Sequence, residues 1–160
     1  MTGPEDLSHR FEVESVERTL ALVGGERWTF VILREIFLGV RRFGQLVRNL
    51  NIPRPTLAAR LRSLVDNGLL VRVPYAQDPE RFEYRLTDSG RDLFPAVVTL
   101  MQWGDKHLPV PEGPPLVLRH QSCGQIVEAR LLCSNCNQEL NARNVTPPEP
   151  GPGFGGGAQD

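Results

Sequence analysis

The chain has 160 residues, 40% of them hydrophobic and 23% charged, with three cysteines and a formal net charge of −1. That length buries one ordinary core and a small appendage, so a second large domain is excluded, and the near-neutral total means that any basicity is local. Residues 1–14 are polar and acidic, without the basic start and apolar core of a leader, and no later run reaches the roughly 18 apolar residues that span a membrane, so a cytoplasmic chain is expected.

Residues 1–14 are read as a flexible N-terminus. Val16, Leu20 and Val23 then recur at helical spacing and mark a first helix, with Ser15 as its cap and Gly24-Gly25 as its end. Trp28 to Phe37 forms a second helix, apolar nearly all round, as befits the element that the rest of a domain packs upon; Trp28 is read as core.

Phe43, Leu46, Val47 and Leu50 predict a short third helix, broken by Asn51-Ile52-Pro53 because proline restricts the residue before it. A fourth helix starts at about Arg54. Its apolar positions, Leu57, Leu61, Leu64 and Val65, share one face, which leaves Arg54, Pro55, Ala58, Ala59, Arg62 and Ser63 on the side or opposite face. Asn67-Gly68 stops it. Leu69 to Tyr75, a polar turn at Ala76 to Glu80, and Arg81 to Leu86 read as a hairpin with one wet face. Helix, tight turn, helix and hairpin in that order make a winged helix-turn-helix.

Thr87 caps a last helix that holds Leu93 and Phe94, kinks or restarts at Pro95 and runs to about Leu108. It is too apolar to stand alone. It either folds back on its own core or pairs with a second copy, and the dimer is favoured because twofold protein symmetry meets a palindromic site.

Double-stranded DNA is the partner that this shape fits. Between Arg41 and Arg91 ten arginines face five acids, a local balance of +5 in a nearly neutral chain. A helix opened by Arg54 and Thr56 brings a cation, a hydroxyl and free amides to phosphates and base edges. Arg54, Thr56 and Arg62, with Ser63 and Arg60 on the same helix, are the candidate base-reading or register-setting residues; Arg42, or Arg41 beside it, and Arg81 near the wing tip are the candidate phosphate contacts. For Arg60, next to Leu57, Leu61 and Leu64, a structural ion pair, with Glu35 for example, is an equal alternative.

A Pro/Gly-rich linker, residues 109–115, leads to a segment at 116–145 that contains every cysteine of the chain. His120-x2-Cys123 and Cys133-x2-Cys136 are two chelating pairs, each with the short spacing that lets a turn present both donors to one tetrahedral ion. This predicts a structural Zn2+ held by three thiolates and an imidazole in a zinc-ribbon-like extension, with no open position for catalysis. The segment has too little apolar content to fold well without such help. His9 and His107 stand outside the spacing and are read as surface residues. The tail, residues 146–160, is rich in proline and glycine and is read as disordered.

Seven strings carry a resemblance to a known family. They are Ser15-Val-Glu-Arg-Thr-Leu, the Gly-Gly-Glu-Arg-Trp-Thr ending at Thr29, Ile32-Leu-Arg-Glu, Arg41-Arg-Phe-Gly-Gln-Leu, Thr56-Leu-Ala-Ala-Arg-Leu, Asn67-Gly-Leu-Leu and Tyr84-Arg-Leu-Thr-Asp-Ser-Gly. Over about Glu14 to Leu108 the chain resembles the HxlR family of bacterial winged-helix regulators. The resemblance implies a homodimeric transcriptional regulator whose first and last helices form the dimer and whose helix from Arg54 to Asn67 enters the major groove. Family members that sense electrophiles or oxidants carry a reactive cysteine at the start of the first helix. Glu14 and Ser15 stand there in this chain, so that switch does not carry over.

The fold expected is therefore mainly α with a small β-hairpin, residues 15–108 forming the DNA-binding and dimerisation domain. No phosphate loop, nucleophile elbow or deaminase signature is present, so an enzyme is not expected. Two alternatives stay open: a winged-helix protein-interaction adaptor, and a redox-responsive regulator in which Cys133 and Cys136 form a disulfide. A small-molecule effector between the first, second and last helices is also left open, with no polar cluster to mark it.

Overall fold

The computed structural model describes residues 15–24, 26–77 and 80–145; the expectations for residues 1–14 and 146–160 lie outside them. Six helices and one hairpin follow in the order α1 Ser15–Val23, α2 Arg27–Phe37, α3 Phe43–Leu50, α4 Arg54–Asp66, β1 Leu70–Gln77, β2 Glu80–Leu86, α5 Asp88–Asp92 and α6 Phe94–His107. They fall into two compact units, one of Val23–Ala129 and one holding residues 15–22 and 130–145.

The larger unit is built on α2. Ile32 and Leu33 are wholly buried in it, and Leu46 of α3, Leu57 and Leu61 of α4 and Leu70 of β1 join them in one apolar cluster. Each such side chain contributes about 1.5–3 kcal/mol by leaving water, which is what holds these short helices at a fixed angle to one another. One carboxylate lies in this core. Glu35 on α2 accepts hydrogen bonds from Arg34 at 3.0 Å and from Asn49 of α3 at 2.9 Å, so its charge is compensated and it ties the two helices together.

The turn of the helix-turn-helix is made as the sequence predicts. Asn51 closes α3 in the left-handed region at φ 47°, a conformation that asparagine tolerates, and Ile52 drops into the core before Pro53 opens α4 in extended backbone. Leu57, Leu61 and Leu64 are buried while Val65 is half-buried, so the face assignment holds.

The hairpin differs from expectation in length. β1 and β2 pair antiparallel from Leu70↔Leu86 out to Gln77↔Glu80, so Ala76, Gln77 and Glu80, read as part of a turn, belong to the strands. An exposed ladder needs only its backbone bonds, and apolar alternation therefore underestimates its reach. The register slips between Pro74 and Ala76, a bulge that sits beside the proline at an edge strand. A further short pairing was not foreseen: Arg42 bridges Glu83, and the Tyr84 amide donates to the Arg41 carbonyl at 2.8 Å, so the segment before α3 forms a third rung at the base of the wing.

Thr87 caps α5, its hydroxyl oxygen accepting from the Gly90 amide at 3.0 Å, and α6 starts afresh with Pro95 in its first turn. Val97 and Val98 are buried, and Phe94 meets Phe37 of α2 edge to face at 5.2 Å. The opposite side of α6 keeps Leu100 and Trp103 in solvent, Trp103 at 56% exposure.

Candidate nucleic-acid interface

The exposed side of α4 begins at Arg54. No side chain caps the helix N-terminus, and the first intrahelical bond is donated by Leu57 to the Pro53 carbonyl, so the first-turn amides point outward. Arg54 is exposed with its guanidinium 5.9 Å above the Phe43 ring; Thr56 and Ser63 are half-buried on the flank and Arg62 is exposed one turn further on. Arg54 at the open N-terminus and Arg62 two turns on are thus both free to solvent, while Leu57, Leu61 and Leu64 are buried.

Arg60 is not free in the same way. Its guanidinium pairs with Glu26, in the turn before α2, at 2.8 Å. The structural partner is Glu26 and not Glu35, because Glu35 is already taken by Arg34 and Asn49.

The wing supplies further cations. Arg42 is exposed and stacks on Tyr75 of β1 at 4.3 Å, which fixes its stem while leaving the guanidinium edge open. Arg81 is exposed near the tip, in register with Ala76. Arg72, absent from the sequence-based candidates, packs over Phe82 at 3.8 Å and lines with Arg62, Asp66 and Tyr84 a groove of about 290 Å3 between α4 and the hairpin. Arg72 lies within the strand that the sequence predicts, Leu69 to Tyr75, but its packing over Phe82 and its place beside α4 depend on the fold.

The C-terminal segment contains two knuckles. In the first, the Val127 amide donates to Leu118 at 2.7 Å, His120 to Gln125 at 2.9 Å and Gly124 to His120 at 2.8 Å, with Gly124 left-handed at φ 69°. In the second, Leu140 donates to Leu131 at 2.7 Å, Cys133 to Gln138 at 2.8 Å and Asn137 to Cys133 at 2.8 Å, with Asn137 left-handed at φ 59°. His120 Nδ1 lies 3.4 Å from Cys123 Sγ and 3.0 Å from the Ser122 hydroxyl. The Cys133 thiol is held below its ordinary range by the amides of Cys136 and Asn135 aimed at its sulfur and by the Cys136 side chain. All three cysteines are free thiols, and among the described residues no three His, Cys, Asp or Glu side chains are gathered into a metal-holding group.

The family model described as HxlR-like helix-turn-helix matches residues 22–112. The chain belongs to the HxlR-like helix-turn-helix family. It is 69% identical over 149 residues, 93% of each chain, to Rv3095, an HTH-type transcriptional regulator of Mycobacterium tuberculosis, and 36% identical over 107 residues to the HTH-type regulator YdeP of Bacillus subtilis, covering 66% of this chain and 82% of that one. Among solved structures it is similar to PA1607, described as a candidate transcription factor, with a TM-score of 0.76, 35% identity and coverage of 88% of this chain and 98% of that chain. The reduced redox regulator HypR aligns with a TM-score of 0.54 at 32% identity, over 61% of this chain and 96% of that one.

As an HxlR-like protein it is a DNA-binding transcriptional regulator, a class whose members are not typically enzymes. Among the described residues no helix is long and apolar enough to cross a membrane.

Proposed function

We propose that this HxlR-like regulator acts as a homodimer on a palindromic operator, each copy placing α4 in a major groove with the two helices about one turn of DNA apart. The observation that carries the reading is the solvent face of α4, where Arg54 and Arg62 stand open while Leu57, Leu61 and Leu64 anchor the helix to the core. Arg54, Thr56, Arg62 and Ser63 read bases or set register, and Arg42, Arg72 and Arg81 hold phosphates on either side. Arg60 serves the fold.

Support for the dimer comes from apolar side chains left in water on two helices. Leu100 and Trp103 on α6, and Val16 and Leu20 on α1, are all at least 40% exposed. Helices that keep such residues in solvent gain stability by pairing with a copy of themselves.

A redox response of this chain would rest on its C-terminal thiols. All three cysteines lie beyond residue 112, outside the span that the family model matches.

The experiment is selection of genomic fragments by the purified protein at low and near-physiological salt. Recovery of one palindromic motif that survives the higher salt supports the reading. Fragments lost without sequence preference as salt rises, or none at all, would favour the protein-interaction adaptor.

A further inference from the structure

Arginines of the larger unit are held in two different ways. Arg34, Arg60, Arg85 and Arg91 each grip a carboxylate, so their charge is neutralised inside the fold. Arg42, Arg54 and Arg72 lie over aromatic rings instead, 4.3 Å from Tyr75, 5.9 Å from Phe43 and 3.8 Å from Phe82, and among the described residues no acid forms a salt bridge with any of the three. A ring attracts a guanidinium through its quadrupole but carries no charge, so it fixes the cation without cancelling it. Arg27 on Trp28 is a pair of sequence neighbours, whereas the other three pairs are brought together by the fold.

Arg42 and Tyr75 show the device most clearly. The Arg42 backbone bridges Glu83 of β2, yet the Glu83 carboxylate is taken by Arg85 at 2.6 Å, so the acid beside Arg42 is closed to it. The Arg42 guanidinium reaches past that pair to β1. There Pro74 faces Phe82 and Ala76 faces Arg81, which makes Tyr75 the extra residue of the bulge. A bulge gives up a rung of the ladder and re-aims a side chain, and here the re-aimed side chain is the ring under Arg42.

Core packing does not account for Tyr75. It is 39% exposed and stands outside the apolar cluster, which Phe43 and Tyr84 by contrast flank. What its ring does touch is the cation placed at the start of α3 and the base of the wing.

We propose that Tyr75 is a positioning residue for DNA binding, its ring holding Arg42 ready for a phosphate with the guanidinium charge uncancelled, a role that rests on α4 and the wing meeting DNA. An arginine stem that is loose in solvent loses rotamer freedom when it grips a phosphate, and that loss is subtracted from affinity. Laid over Tyr75, the stem has lost it on folding. The ring suffices for this, and the phenol hydroxyl has no part in it.

The test uses the full chain and a fluorescent mixed-sequence DNA duplex at low salt, where phosphate contacts dominate binding. Arg42→Ala should weaken binding and lower the slope of log affinity against log salt by about 0.9 for each phosphate lost. Tyr75→Ala should weaken binding about two- to fivefold for each copy on the duplex. Tyr75→Phe should bind as the unaltered protein does, and Tyr75→Ala should have no further effect once Arg42 is alanine. Circular dichroism melts check that each variant has folded. Unchanged binding by Arg42→Ala or by Tyr75→Ala would overturn the role, as would an equal loss from Tyr75→Ala with Arg42 already removed, which would put the ring on the DNA itself or only in the fold of the wing. Unaltered protein that binds no duplex at any salt would instead bring down the DNA reading of α4, and the role of Tyr75 with it.

Discussion

Gln102 on α6 holds Ala129 with one end of its amide and Val127 with the other. The Ala129 amide donates to Gln102 Oε1 at 2.9 Å, and Gln102 Nε2 donates to the Val127 carbonyl at 2.8 Å, so one side chain imitates a strand edge and pins the chain that leaves the first knuckle. Val127 is also that knuckle's outer rung, donating to Leu118.

Replacing Gln102 by alanine removes both bonds at a half-buried site, a loss of about 1–3 kcal/mol on the usual scale of two neutral hydrogen bonds. The loss falls on the knuckle and not on the core, since both bonds run to the chain that leaves the knuckle. Hydrogen exchange should quicken at Val127 and Ala129 in Gln102→Ala while the amides of α4 keep their protection. Equal loss of protection in α4 would show that the segment and the winged helix open together.

Arg60 and Arg62 lie two residues apart on α4 and should behave oppositely. Arg60→Ala breaks a partly exposed pair with Glu26 and should cost about 0.2–1 kcal/mol of stability with operator affinity unchanged. Arg62→Ala should leave the melting temperature unchanged and weaken the operator complex; if it holds a phosphate, the slope of log affinity against log salt falls by about 0.9, and if it reads a base, discrimination at one position falls instead. Titration of labelled operator at several salt concentrations separates the two. An Arg62→Ala dimer that binds as tightly as the original would remove Arg62 from the interface.

Trp103 tests the dimer. Its exposure on α6 is 56%, and a charge placed there should leave the protomer fold intact because the buried residues of that helix are Val97 and Val98. Trp103→Glu should elute as a monomer with an unchanged helical spectrum, and it should lose affinity for a two-half-site operator far more than for a single half-site. A dimer unaffected in light scattering would move the interface away from α6.

Much of this was legible before the structure, and the exceptions share a cause. The helix-turn-helix was readable because Leu46, Leu57, Leu61 and Leu64 repeat at helical spacing and Asn51-Ile52-Pro53 admits no continuous helix. The rung between Arg42 and Glu83 was not, because a bridge of single residues leaves no periodic trace. The partner of Arg60 depended on the packing of α4 beside the turn before α2, so the sequence suggested Glu35 where the structure pairs Glu26. The spacing of His120, Cys123, Cys133 and Cys136 was visible, but not the backbone repeat that frames it. Gly124 and Asn137 are unlike as residues and alike only in backbone.

Gly90 was read merely as part of a motif, and the structure gives it a reason. It is buried in α5, and a Cβ there would lie 2.2 Å from the Leu69 carbonyl oxygen and 3.2 Å from Leu86 Cδ2. That oxygen cannot retreat easily, because it accepts from the Thr87 amide at 3.1 Å in the joint between the wing and the last helices. Gly90→Ala must therefore push α5 off the hairpin, a strain of about 1–3 kcal/mol by analogy with overpacked cores, which lowers the melting temperature by roughly 4–8 °C per kcal/mol in a domain of this size. Thr87→Ala, which deletes only the cap on the same turn, should cost about 1 kcal/mol. Thermal unfolding followed by circular dichroism ranks the two. A Gly90→Ala protein as stable as the original would mean that the close approach of α5 to Leu69 does not hold in solution.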